Sequence, residues 1–254
     1  MLILINVLVN GCNGNMGKEI IKHIDDTDNF TVLCGVDRVD SGDNNFPVFT
    51  DVNHITELPN IIIDFSVPIA SINILNYAKE KKIPMVIATT GFSCNELNYI
   101  EEYSKFIPIF KSSNMSLEIN IMNLLVAKLS KLLTECDIEI IETHHKNKID
   151  APSGTALMLA NSINSSLNNT MNYTYNRASS RCKRNHNEIG IHSIRGGTEI
   201  GKHSVLFLGN NESFELTHTV TSRSIFAKGA IKAAEFVIDK KAGLYGMEDL
   251  VNLN

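Results

Sequence analysis

The 254-residue chain predicts an α/β protein, a doubly wound parallel sheet joined to a second α+β domain with a four-stranded mixed sheet. Three observations carry this. Apolar strand-like runs alternate with amphipathic helical runs through residue 114. A Gly-rich turn follows the first of those strands directly. From Leu117 the pattern changes to strands joined by hairpin-type connections.

The elements follow in order. Ile3 to Val9 is nearly all apolar, as a strand buried on both faces of a parallel sheet must be. Gly11-Cys12-Asn13-Gly14-Asn15-Met16-Gly17 opens a helix with Ile20, Ile21 and Ile24 inward. Strand, Gly-rich turn and helix form the context of a dinucleotide fingerprint, although the spacing is GxxGxxG and not GxGxxG. Phe30 to Val36 is the second strand, ending in Asp37-Arg38. Asp37 falls 20 residues after Gly17, where such folds place the acid that reads a ribose. Arg38 is the cation that could pair with a 2′-phosphate. Val39 to Pro47 reads as a polar loop. Asn60 to Phe65 is a third strand, followed by a helix around Ile72 to Lys81. Pro84 to Ala88 is a fourth, ending in Thr89-Thr90-Gly91. After a helix at Glu96 to Phe106, Ile107 to Phe110 is a short strand that delivers Ser112, Ser113, Asn114 and Met115 to the same rim. Ligands of open α/β sheets sit at such strand ends.

Leu117 to Leu133 is a long helix with Ile121, Leu124, Leu125, Leu129 and Leu132 along one side and Lys128 interrupting it. Strands are expected at 137–143, 188–194, 203–208 and 213–220, the last two flanking a hairpin signal, Gly209 to Glu212. Arg195-Gly196-Gly197-Thr198 offers a further cation between two of them. Phe226 to Lys240 is an amphipathic helix with Gly243 suited to its cap, expected to return to the first domain. The predicted division is therefore 1–114 with 226–254 as a dinucleotide-binding domain, and 115–225 as a second, substrate-binding and oligomerisation domain. The Asn-rich stretch from Asn161 to Asn176 reads as compositional bias.

The densest chemistry is Glu142-Thr143-His144-His145-Lys146-Asn147-Lys148-Ile149-Asp150-Ala151-Pro152-Ser153-Gly154-Thr155. Alternating apolar residues from Asp137 make its leading edge a strand, and Ala156, Leu157, Leu159, Ala160 and Ile163 make its trailing edge a helix. Two His, two Lys and an Asp lie within the seven residues His144 to Asp150. Ser153 or Thr155 can cap the helix, whose start presents N–H groups and a positive dipole end to an anion. Cations, imidazoles and a helix start together describe a carboxylate pocket with proton donors at hand. Two adjacent histidines do not easily ligate one ion and no third ligand is evident, so no metal is expected.

Net charge is −5 without a basic stripe, which gives no support to nucleic-acid or membrane-surface binding. Five scattered Cys with no CxxC pair fit reduced thiols in a cytoplasmic setting. The apolar start has no basic leader and reads as a strand, and no apolar run is long enough to span a membrane.

Gly11 to Gly17 with Met16, Thr89-Thr90-Gly91, Ser113-Asn114-Met115-Ser116 and above all the Glu142 to Ala156 string resemble the 4-hydroxy-tetrahydrodipicolinate reductase (dihydrodipicolinate reductase) family over nearly the whole chain. Arg195-Gly196-Gly197, Gly201-Lys202-His203, Thr217-His218 and Ser222-Arg223 agree. The resemblance implies a Rossmann-type domain for NADH or NADPH, a mixed-sheet domain for substrate and tetramer contacts, closure between them, and hydride reduction of a cyclic dicarboxylate. It gives His144 the acid/base role, makes Lys148 a proton donor or carboxylate ligand and His145 a substrate contact, and matches Gly154 and Thr155 to the backbone that holds a carboxylate; the helix start from Ser153 to Thr155 is available for the same acid. Gly11, Cys12, Asn13, Gly14, Asn15, Met16, Asp37, Arg38, Ala88, Thr89, Thr90, Ser112, Ser113, Asn114 and Met115 match dinucleotide contacts. Asn15 stands where the family commonly has Arg, Ala88 where it has Gly, and Lys146 where it has Arg. The loss of charge at Asn15 and the acid at Asp37 favour NADH. Another amino-acid or keto-acid dehydrogenase would share the first 114 residues without needing the His-His loop, and a nucleotide sensor would not need its proton donors.

Overall fold

The structure is a computed structural model that describes residues 4–178 and 181–251. Ile3, expected to open the first strand, and residues 252–254 of the predicted first domain lie outside them. In chain order the elements are β1 (Ile5–Asn10), α1 (Asn15–Asp25), β2 (Phe30–Val36), β3 (Val48–Phe49), β4 (Ile61–Asp64), α2 (Pro68–Lys81), β5 (Met85–Ile87), α3 (Cys94–Ser104) and β6 (Pro108–Lys111). Then come α4 (Leu117–Leu132), β7 (Asp137–His144), α5 (Gly154–Ser166), β8 (Asn172–Thr174), β9 (Glu188–Arg195), β10 (Gly201–Leu208) and β11 (Ser213–Val220). The chain ends in α6 (Ser224–Val237), β12 (Gly243–Tyr245) and α7 (Met247–Val251). It divides into two compact units, Met1–Ser116 with Arg223–Asn254, and Leu117–Ser222.

The first unit holds a seven-stranded sheet in the order β12-β6-β5-β4-β1-β2-β3, with all pairings parallel. Strand order reverses between β1 and β4, the crevice where such sheets bind ligands. Ile61, Ile62 and Ile63 are fully buried because helices cover both faces. Val7, Val9, Ile61 and Ile63 pack with α1 and α6 on one side. Leu8, Ile62, Met85 and Ile87 pack with α2 and α3 on the other. Pro68 begins α2, where its missing N–H is not needed. Ser93 and Glu96 form a reciprocal capping box, which starts α3 two residues before the apolar pattern suggests.

The second unit has a five-stranded sheet, β11-β10-β7-β9-β8. Its β11-β10-β7 half is antiparallel and its β7-β9-β8 half parallel. It is mixed as expected but has one strand more, because three residues of the Asn-rich stretch form β8. The asparagines there also shape the chain. Asn168 and Asn169 take the left-handed conformation, and Asn164 bonds both N–H and C=O of Met171 through its amide.

Two further expectations are corrected. The buried residues of α4 are Ile119, Met122, Val126 and Ser130, whereas Leu125 and Leu132 are exposed. The helix is apolar on more than one side, and it is the 119/122/126 row that packs with Ile140, Leu159 and Val205. Gly243 does not cap the last long helix. It opens β12, which adds to the sheet edge beside β6.

Candidate functional site

In the first unit, Gly11 has φ +80, and a Cβ there would lie 2.7 Å from the Phe65 carbonyl oxygen. A Cβ on Gly17 would lie 2.1 Å from the Gly11 oxygen. The turn thus needs glycine at both ends to bring α1 against β1 and β4. Gly14 is the N-cap of α1 and offers no side-chain oxygen to its first N–H groups. The Asp37 carboxylate accepts from the Asn13 N–H at 2.8 Å and the Arg38 N–H at 2.7 Å, tying β2 to the turn.

A cleft of about 1230 Å³ is lined by Gly11, Asn13, Gly14, Asp37 and Arg38 among others. A smaller pocket of about 310 Å³ is lined by Met16, Phe65, Ser66, Ala88, Thr89, Thr90, Ser113, Asn114, Met115 and Phe226. Twelve of the fifteen residues matched to dinucleotide contacts therefore line one or other of these two cavities. Three do not. Cys12 is fully buried, with its thiol beside Gly35. Asn15 is exposed on the first turn of α1. The Ser112 hydroxyl is engaged by the Asn114 backbone at 2.8 Å.

Asp64, Phe65, Ser66 and Phe226 went unmarked in the sequence. Asp64 is fully buried and accepts from Asn10 Nδ2 at 2.8 Å, Ser66 Oγ at 2.5 Å and Thr89 Oγ1 at 2.9 Å, and also from Ser71 Oγ. It gathers the ends of β1, β4 and β5. Burial pushes its carboxyl up, while these donors pull it down. An acid closing the run Ile61-Ile62-Ile63 was the available signal.

In the second unit, β7 alternates strictly, with Ile138, Ile140, Glu142 and His144 on the buried face. Glu142 is fully buried and His144 is 7% exposed. His144 Nδ1 lies 2.5 Å from Glu142 Oε2. Arg195 on β9 reaches both carboxylate oxygens, Nη1 at 2.8 Å and Nη2 at 2.7 Å, in the bidentate form that guanidinium and carboxylate prefer. The Ser153 N–H donates to Glu142 Oε1 at 3.2 Å. Burial pushes the Glu142 carboxyl up, but hydrogen bonds from Arg195, Ser193 and His144 outweigh this and hold it at about 2. Burial also lowers His144, partly offset by Glu142.

Ser153 caps α5, its hydroxyl accepting from the Ala156 N–H at 3.2 Å and pairing with His203 Nε2 at 2.9 Å. The expected substrate hydroxyl is therefore buried and already engaged, and only its backbone and those of Gly154 and Thr155 shape the helix start. His203 lies edge-on to His144 with centroids 5.1 Å apart, and burial pushes it down to about 4. Lys148 Nζ pairs with Asp150 at 2.8 Å. His145 Nδ1 is buried without a partner among the described residues. Arg195, expected as a spare cation, is committed to Glu142 and to the Asp150 carbonyl at 2.7 Å.

Fold and site together define a class, a two-unit oxidoreductase built on a nicotinamide-dinucleotide sheet. Comparison with known proteins narrows it. Residues 5–115 match the N-terminal family model of dihydrodipicolinate reductase, and residues 118–251 its C-terminal model. The chain is 48% identical to the 4-hydroxy-tetrahydrodipicolinate reductase of Caldanaerobacter subterraneus subsp. tengcongensis over 248 residues, covering 98% of each. It is 44% identical to that of Clostridium tetani over 251 residues, again covering 98% of each. Among solved structures, dipicolinate-bound dihydrodipicolinate reductase from Paenisporosarcina sp. TG-14 superposes with a TM-score of 0.81 at 25% identity, covering 97% of this chain and 99% of that one. The chain belongs to the dihydrodipicolinate reductase family.

Proposed function

We propose that this protein reduces 4-hydroxy-tetrahydrodipicolinate to tetrahydrodipicolinate with NADH or NADPH, in diaminopimelate and lysine biosynthesis. The observation that carries the reading is the buried Glu142–His144 pair, placed on one strand directly before a Lys-bearing loop and a helix start.

Residues 1–114 and 226–254, within the first unit, are the dinucleotide-binding domain. Its residues fit the cofactor, since Gly11 and Gly14 leave the cleft floor free of side chains and Asp37 sits in its wall. Gly11 to Met16, Asp37 and Arg38 would hold the dinucleotide's phosphates and ribose. Ala88, Thr89, Thr90 and Ser112 to Met115 would hold the nicotinamide, which supplies the hydride when bound. Cys12 and Ser112 contribute through backbone only. An acid at Asp37 and no cation at Asn15 favour NADH.

Residues 115–225, which take in the whole second unit, are the substrate and oligomerisation domain. Its one-ring, two-carboxylate substrate needs cationic or N–H partners for both acids. Lys148, His145 and the helix start at Ser153, Gly154 and Thr155 supply them. Reduction places negative charge on the acceptor, and a proton donor aimed at it lowers the barrier. His144, with Lys148 beside it in sequence, takes that role. Among the described residues no helix is long and apolar enough to cross a membrane. A homotetramer working in the cytoplasm, with no nucleic-acid or membrane partner, completes the reading.

The test is an assay following NAD(P)H absorbance after adding freshly generated heterocycle, with both cofactors compared. Cofactor oxidation on addition is expected. Turnover of amino acids in place of the heterocycle would overturn the proposal.

A further inference from the structure

We propose that Glu142, with Arg195 as its counter-ion, is a positioning residue that fixes His144 as the Nδ1–H tautomer and leaves Nε2 as the nitrogen that handles the proton. The inference rests on the proton-donor role given to His144 above.

Glu142 is fully buried on the central strand of its sheet. Donors reach it from three elements: Arg195 on β9 through two nitrogens, His144 on its own strand, and the Ser153 N–H at the start of α5. The guanidinium cannot swing away, because it also donates to the carbonyls of Asp150 and Ile194. A carboxylate clamped bidentately by a guanidinium is ionised, and an ionised carboxylate only accepts. The hydrogen in the 2.5 Å contact with His144 therefore belongs to Nδ1. A neutral imidazole holding its hydrogen on Nδ1 has its lone pair on Nε2.

That nitrogen lies against a glycine. It faces Gly201 of β10, where a Cβ would lie 3.1 Å away, so any side chain at this position would crowd it. Two other assignments fail on the same geometry. Glu142 has no proton to deliver near neutral pH, and Arg195 has its carboxylate partner already.

The charged and titratable groups facing His144 are Glu142 on its own strand, Arg195 from β9, His203 from β10 and Lys148 from the following loop. Glu142 alone favours the imidazolium. Removing its charge moves the titration of His144 to lower pH, and with it the high-pH limb of kcat.

Two measurements decide the matter. Nitrogen-15 NMR of histidine-labelled wild-type protein, with the signal assigned by its loss in His144→Asn, is expected to show a protonated Nδ1 and a bare Nε2. The opposite tautomer overturns the proposal, whether or not the protein turns over the heterocycle. In Glu142→Gln, kcat is expected to fall roughly tenfold to a hundredfold, part of the ~10²–10⁴ that a positioned acid supplies. Its high-pH limb should move down while NADH affinity, read by fluorescence, stays unchanged. A limb that does not move, with kcat within about twofold of wild type, also overturns it. If Glu142→Gln does not fold, the wild-type spectrum still distinguishes the two tautomers. Absence of turnover in the wild type would remove the proposed reaction and leave the tautomer measurement standing.

Discussion

Replacing Arg195 by Met deletes a charge that the second unit is built around. Met keeps much of the stem volume but leaves Glu142 buried without its bidentate partner. In the intact protein the Glu142 carboxyl falls from an ordinary 4.5 to about 2. At about 1.4 kcal/mol per tenfold, this corresponds to about 3 kcal/mol. That net shift also includes Ser193 and His144; stripping one partner from a buried ion pair costs roughly 3–5 kcal/mol, the same order. The sign follows from the direction of the shift. A depressed carboxyl contributes stability that is complete above 4.5 and is lost as pH falls toward 2. In Arg195→Met, burial is less opposed, the carboxyl rises, and folding at neutral pH carries a deficit. Protonating Glu142 in the variant narrows that deficit as pH falls, and variant and wild type should converge only toward about pH 2, where the wild-type carboxyl also protonates. Thermal unfolding by circular dichroism is the assay. With roughly 2–8 °C per kcal/mol for domains of this range, Tm should fall by at least about 6 °C at neutral pH. An unchanged Tm, or a gap that widens on acidification, would refute the reasoning.

Three other outcomes are expected. His144→Ala or Lys148→Ala lowers kcat by ~10²-fold or more, and a double variant with near-normal turnover would remove both from the chemistry. NADH should be used at least as well as NADPH, given Asp37 and the missing cation at Asn15; a kcat/KM ratio strongly favouring NADPH contradicts this. His203, pushed by burial from 6.5 to about 4, should make stability fall as pH drops between those values, by up to about 1.4 kcal/mol per pH unit. His203→Gln should flatten that fall in denaturant titrations, and parallel curves for the two proteins would count against it.

Local patterns were readable from the sequence wherever one element decides them. The alternation from Asp137 announced β7, although the strand runs on through His144, one residue past its expected end, and strand, Gly turn and helix announced the first sheet. What the sequence hides depends on distant partners. The Arg195–Glu142 pair joins residues 53 apart, so neither side chain alone declares its use. Asp64 organises strand ends whose adjacency only topology creates. Strands of two or three residues, such as β3, β8 and β12, are too short to show a period. The buried face of α4 is not legible because apolar residues surround the helix, and only the sheet beneath selects one row. Yet the alternation of β7 also puts a carboxylate among Ile138 and Ile140, and a buried charge demands a partner. That pattern was the clue to Glu142.

The central position of β7 restricts how this chain can vary. With neighbours on both edges and period-two facing, a one-residue insertion or deletion ahead of Glu142 would rotate every side chain that follows to the opposite side. Ile138 and Ile140 would stay in the core while Glu142 and His144 turn together away from Arg195 and Ser153. Packing and chemistry thus share one reading frame along eight residues. Drift in length is confined to the loops beyond the strand, while drift within it must proceed by substitution alone.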